Sequence, residues 1–155
     1  IKWVLGPKPE EMPVGWQAKI TDLFYNETGE SYSDTTFRML AIPEWYGNRL
    51  LIDEDKYPNP DALLGVIWSK PLHNNRIRIV SLVLSEEVQG KNYGSEILNE
   101  IMTKAKSEGK HALQLEVRKS NIKAQRFYHK HGLEIYGTIE NYYSNEDGYV
   151  MEIEF

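Results

Sequence analysis

The sequence predicts a mixed α and β fold, with a parallel strand pair set in a sheet whose other connections are antiparallel. Three observations lead there. By hydrophobic period the second half reads strand, helix, strand, helix, strand, strand. A strand, helix, strand unit requires a parallel pair with a right-handed crossover. Short polar turns separate the remaining strands, as hairpins require.

In chain order, Trp16 to Tyr25 and Asp34 to Leu40 read as short helices joined by the Asn26 to Ser33 loop with its central Gly29. Leu50 to Asp53 and Leu63 to Ser69 read as strands separated by the turn-rich Tyr57 to Asp61, and Pro71 to Asn75 turns the chain again. Arg76 to Leu84 alternates around Ile77 and Ile79 and then becomes the unbroken Leu82, Val83, Leu84, a change of period that fits a bulge or a fully buried strand end. Ile97, Leu98, Ile101, Met102 and Ala105 recur at helical spacing, and Gly109 stands where a C-terminal cap belongs. Ala112 to Val117 has strand period. Asn121 is placed to cap a helix carrying Ala124, Phe127, Tyr128 and His131, which Gly132 stops. Leu133 to Ile139, a polar loop, and the alternating Tyr149, Met151, Ile153 and Phe155 predict a closing hairpin.

At 155 residues the chain is expected to be a single domain spanning 1–155, large enough for one substantial core. Hydrophobic residues at 41% and charged residues at 26% argue against disorder. No apolar run approaches the ~18 residues that span a bilayer, and no signal-peptide pattern is present, so the expected location is cytoplasmic, with no membrane partner. The absence of cysteine excludes a disulfide framework, a thiolate metal site and a cysteine acyl-enzyme. A net charge of -5 offers no general attraction to nucleic acid. His73, His111, His129 and His131 show no metal-ligand spacing, and no metal is expected.

Gln89-Gly90-Lys91-Asn92-Tyr93-Gly94-Ser95 joins a strand to a helix, so its backbone N–H groups and the helix N-terminus together suit a phosphate. Taken alone it is also an ordinary glycine-containing turn. It lacks the Gly-Lys-Ser/Thr ending of a P-loop and the glycine spacing of a dinucleotide fold.

The segment Gln89-x-x-Asn92-x-Gly94, after the Leu82 to Leu84 strand, resembles the cofactor signature of the GNAT superfamily of N-acetyltransferases, with Asn92 in place of its first glycine. Asn tolerates left-handed backbone angles better than most residues. Leu115-Glu116-Val117-Arg118-Lys119-Ser120-Asn121-x-x-Ala124-x-x-x-Tyr128-x-x-x-Gly132 resembles the strand and helix beside the cofactor thiol in the RimI-like protein N-terminal acetyltransferases. The tail is similar too, with Tyr142-Tyr143 followed by Glu146-Asp147-Gly148-Tyr149-Val150-Met151.

The resemblance implies an α/β (α+β) GNAT fold, a mixed central sheet with helices on both faces and the parallel pair at the cofactor cleft. It implies acetyl-CoA as cosubstrate, direct transfer to a primary amine, and a protein or peptide N-terminus as acceptor, with a polyamine-type small amine or a non-catalytic CoA-binding module as alternatives. Leu82, Val83 and Leu84 would hold the pantetheine arm, Gln89 through Ser95 the pyrophosphate, and Asn121 and Tyr128 would also contact the cofactor. Tyr128 matches the general acid and Glu116 the general base; Tyr32, Tyr142 and Tyr143 would grip the acceptor. By position alone Tyr128 also fits a core stripe, Glu116 a solvated strand face, Asn121 an N-cap, and Tyr142-Tyr143 hairpin packing.

Overall fold

The computed structural model describes residues 1–7, 9–28 and 48–155. Among them, strands β1 (Lys2–Leu5), β2 (Arg49–Ile52), β3 (Leu63–Leu72), β4 (Arg76–Leu84), β5 (Ala112–Arg118), β6 (Glu134–Tyr143) and β7 (Glu146–Glu154) form one sheet. Its order is β1-β2-β3-β4-β5-β7-β6. Every neighbouring pair is antiparallel except β4 and β5, which are parallel as the strand, helix, strand unit demands.

Helices α1 (Trp16–Thr28), α2 (Tyr93–Ser107) and α3 (Ile122–Lys130) cover both faces. Helix α1 buries Trp16, Ile20, Leu23 and Phe24 against Leu50, Val66, Trp68 and Val83, with the Phe24 and Trp68 rings 4.7 Å apart. On the opposite face, Ile97, Leu98, Ile101 and Ala105 of α2 and Tyr128 of α3 pack on Ile77, Ile79, Leu113, Leu115 and Val117. The helical stripe and the strand alternation thus meet as two complementary apolar surfaces. Gly109, at φ +75, closes α2, with the Lys110 N–H donating to the Ala105 carbonyl and the Gly109 N–H to that of Lys106.

Several boundaries differ from the sequence expectation. Helix α1 runs through Asn26 to Thr28, which were expected in a loop; the rest of that loop and the expected helix at 34–40 lie outside the described residues. Asp53 is not in β2 but caps a 3-10 turn, its side chain accepting from the Asp55 N–H. Strand β3 continues through Pro71 to Leu72, where a turn was expected. The Ser69 N–H points to the β2 side, where Asn48 accepts it. Pro71, two residues on, points the same way beyond the end of β2, so its missing N–H leaves no ladder bond unmade. The β6–β7 hairpin is also longer than expected, and Tyr142 and Tyr143 belong to β6 itself. No helix among the described residues is long and apolar enough to cross a membrane.

Candidate functional site

The parallel pairing of β4 and β5 covers only Arg76↔Ala112, Ile77↔Leu113 and Arg78↔Gln114. Beyond Arg78, β4 runs on to Leu84 and β5 to Arg118 with no further pairing between them. Their facing backbone groups are therefore offered to whatever enters the gap. The divergence coincides with a bulge. Trp68 pairs with Ser81 and Ser69 with Ile79, which leaves Val80 as the extra residue of β4. This is the change of period read from the sequence, and bulges bend the strand that carries them. Past it, Leu82 and Leu84 pack toward α2 and α3, and Val83 toward α1.

After β4 the chain makes a short 3-10 turn and enters α2 through Gln89 to Ser95. Gly90 (φ +74) and Asn92 (φ +73) are both left-handed, so Asn92 takes the backbone conformation anticipated for it. None of the backbone N–H groups from Gly90 to Ser95 has an acceptor among the described residues. A run of free donors at a helix start has the chemistry of an anion cradle, and it fits a pyrophosphate. The two glycines serve different ends. A Cβ on Gly90 would meet nothing within 4 Å, so glycine is favoured there by backbone angle alone. A Cβ on Gly94 would lie 3.3 Å from Phe127 Cζ and 3.6 Å from Leu84 Cδ1, so this glycine makes room for α3.

The Gln89 side chain holds the turn. Its amide donates to the Leu84 carbonyl and to Glu27 of α1, both at 2.8 Å, and its oxygen accepts from Lys123 of α3 at 3.1 Å. Lys91 is exposed, whereas the Tyr93 carbonyl accepts the Trp3 indole N–H at 3.0 Å. Ser95 Oγ lies 2.9 Å from His131 Nε2, which links the start of α2 to the end of α3.

Asn121 is an N-cap, its side-chain oxygen accepting from the Ala124 N–H at 3.1 Å. Tyr128 is buried with Leu115 and Val117, yet its hydroxyl has no hydrogen-bond partner among the described residues. Burial raises its pKa well above the ordinary phenol value, so the hydroxyl keeps its proton throughout the working range.

Glu116 lies on the other face of β5, the α1 face, since Leu115 and Val117 both point to α2 and α3. Its Oε2 accepts from Arg78 Nε at 3.1 Å, and an Nη of Arg78 donates to the Tyr142 hydroxyl at 3.2 Å. Burial works against the Arg78 charge, but Glu116 and Tyr142 outweigh it, and the guanidinium pKa is raised. Tyr142 and Tyr143 stand edge to face at 5.0 Å over Gly148, where a Cβ would come within 3.0 Å of Tyr142 and 3.1 Å of Tyr143. The hairpin tip is tied to β5 and the loop after it: Glu146 accepts from Arg118, from the Ser120 hydroxyl and from the Ser120 N–H.

The structure therefore gathers Leu82 to Leu84 and Gln89 to Ser95 at one edge of the gap, and Asn121 and Tyr128 on the α3 side of it. Glu116, Tyr142 and Tyr143 sit together on the α1 face, and Tyr32 lies outside the described residues. Sequence reasoning missed Arg78, Arg118, Glu146, Gly148 and His131. Only the Arg76, Arg78 alternation with two isoleucines hinted at cations on a sheet face.

Solved structures similar to this chain include Arabidopsis thaliana Naa50 in complex with the bisubstrate analogue CoA-Ac-MVNAL (23% identity over 100% of both chains, TM-score 0.77). The ribosomal-protein-S18-alanine N-acetyltransferase from Escherichia coli is 17% identical over 99% of this chain and 92% of its own, with a TM-score of 0.78. The NatC complex bound to Gag peptide and CoA contains a chain 21% identical over 100% of this one and 99% of that one, with a TM-score of 0.80. At these identities the likeness is one of fold. No curated protein sequence matches the chain significantly. The model of the acetyltransferase (GNAT) family matches residues 18–133, a span that includes the bulged strand, the Gln89 to Ser95 turn and the helix of Tyr128. The chain therefore belongs to the GNAT acetyltransferase family, and its acyl donor is acetyl-CoA.

Proposed function

We propose that this enzyme, acting as a single domain over 1–155 in the cytoplasm, acetylates the α-amine of a protein or peptide N-terminus. The observation that carries the reading is the placement of Tyr128 and Glu116 on opposite faces of β5, beside the only stretch where β4 and β5 part among the described residues. A gap between strands joins the two faces of a sheet, so donor and acceptor can meet through it.

In this reading the free N–H groups of Gly90 to Ser95 hold the pyrophosphate, the unpaired edge of Leu82 to Leu84 the pantetheine arm, and Asn121 a further part of the cofactor. Acetyl-CoA supplies the thioester carbonyl and a thiolate leaving group. Glu116, through a water, takes the proton of the attacking amine as the new C–N bond forms, and Tyr128 delivers its proton to the sulfur as the C–S bond breaks. An α-amine, with a pKa of about 8, has a useful neutral fraction near neutrality, whereas a lysine amine at about 10.4 needs a stronger base. Tyr142 and Tyr143, over the same face as Glu116, offer flat apolar rings and hydroxyls to a peptide backbone. Tyr32 completes the grip in this proposal on the strength of its sequence resemblance alone.

The test is steady-state CoA release with peptides varied at their first two residues, beside polyamines and free lysine. Peptides with free N-termini are expected to turn over and N-acetylated ones are not. Turnover of polyamines without peptides would move the assignment to small amines. A raised melting temperature with acetyl-CoA and no turnover on any amine would leave a CoA-binding module.

A further inference from the structure

We infer that Arg78 is a positioning residue of the acceptor side, orienting Glu116 and docking the Tyr142 hairpin with one guanidinium. The inference rests on the reading of Glu116 as the base. Arg78 is the last residue of β4 paired with β5, so its side chain leaves the sheet at the apex where the strands part. Its Cα partner is Gln114, yet the guanidinium reaches along β5 to Glu116 and across to the hairpin at Tyr142. It thus bonds the proposed base and the acceptor grip at once, and both groups lie on one face of the sheet.

The chemistry suits arginine in particular. A guanidinium presents donors in a fixed planar fork, so Nε and Nη2 can serve two acceptors in different directions, whereas a lysine ammonium is a compact point charge on a flexible stem. The Glu116 side chain is only 13% exposed and that of Arg78 24%, so neither is a loosely solvated surface group. The bond from Arg78 occupies Oε2 and leaves Oε1 without a partner among the described residues. One oxygen is held and the other is left open. The neighbouring ion pairs on this face, Arg76 with Glu152 and Arg118 with Glu146, satisfy their own charges and do not compete for Glu116.

The experiment measures kcat, acceptor KM and acetyl-CoA affinity for Arg78→Gln, Glu116→Gln, their double mutant and Tyr142→Phe. Arg78→Gln is expected to lower kcat about tenfold and raise acceptor KM several-fold, with acetyl-CoA affinity unchanged. Because Arg78 acts through Glu116, the double mutant should be no slower than Glu116→Gln alone. Tyr142→Phe should raise acceptor KM and spare kcat. Should Arg78→Gln not fold, Arg78→Lys keeps the cation but not the fork, and a raised acceptor KM is the expected result. A Glu116→Gln enzyme with parental kcat overturns the base reading and this inference with it. An impaired Glu116→Gln beside a parental Arg78→Gln (or Arg78→Lys), or multiplicative losses in the double mutant, overturns the inference alone.

Discussion

The Arg118 guanidinium lies over the Tyr143 ring, 4.3 Å from its centre, while bonding Asn145 and Glu146 on the far side of the same hairpin turn. A strand-end cation therefore grips the hairpin tip from two directions. On the proposed assignment of Tyr143 to the acceptor grip, Tyr143→Ala is expected to raise peptide KM by about tenfold with acetyl-CoA affinity within about twofold of the parent. Initial-rate kinetics with each substrate varied in turn check this.

Gly148 makes the same hairpin possible by leaving space for two rings. Gly148→Val pushes both tyrosines off the sheet, and its peptide KM should rise at least as far as that of Tyr143→Ala. If the substitution left peptide KM at the parental value, the rings would have no part in acceptor binding.

Tyr128→Phe removes a hydroxyl that has no hydrogen-bond partner among the described residues. No hydrogen bond is lost, so the melting temperature should stay within a few degrees of the parent. Turnover should fall about a hundredfold with little change in acetyl-CoA affinity. Unaltered turnover where chemistry limits the rate would falsify the acid role.

Asn92 holds a left-handed conformation that glycine adopts freely and β-branched residues resist. Asn92→Gly should preserve acetyl-CoA affinity within about threefold, whereas Asn92→Val should lose about 1–2 kcal/mol of stability and weaken binding. Calorimetric titration and thermal melts of the two variants provide the comparison.

His131 has a lowered pKa, because partial burial and then the neighbouring Lys130 charge disfavour its protonated form. For a histidine lowered on folding, the unfolded chain binds more protons in the window between the folded value and about 6.5. The associated stability is fully present above about 6.5 and is lost as pH falls through the folded value. His131→Gln should therefore show a smaller decline in melting temperature between pH 7 and pH 5 than the parent. An equal decline would show that His131 does not contribute to it.

The elements legible in the sequence are those whose apolar period was long enough to fix type and face. Strands β4, β5 and β7 and helices α2 and α3 all carry such runs, and the glycines after the helices mark their ends. Strand β1 escaped because four residues with one buried side chain, Trp3, carry no period. The extension of β3 escaped because Pro71 reads as a breaker until the end of β2 is known. Within the site, the Gln89 to Ser95 turn was legible from local backbone chemistry. The Arg78 to Glu116 contact was not, because cross-strand partners depend on register, and the β4–β5 register becomes known only once the parallel pair is formed.

The short β4–β5 ladder divides the sheet into two antiparallel plates, β1 to β4 and β5, β7, β6, joined by a narrow seam. Within each plate the ladders are longer than at the seam, so the seam is where cooperativity between the halves is thinnest. A ligand lying in the gap would bond to both plates, acting as a temporary eighth strand. Amide exchange along the free edges of Leu82 to Leu84 and of Val117 to Arg118 would then slow on occupancy, while exchange inside each plate stayed as it was. Beneath the seam the core under α2 and α3 already spans both plates, so on the proposed reading a ligand would add hydrogen bonds across the seam and product release would remove them.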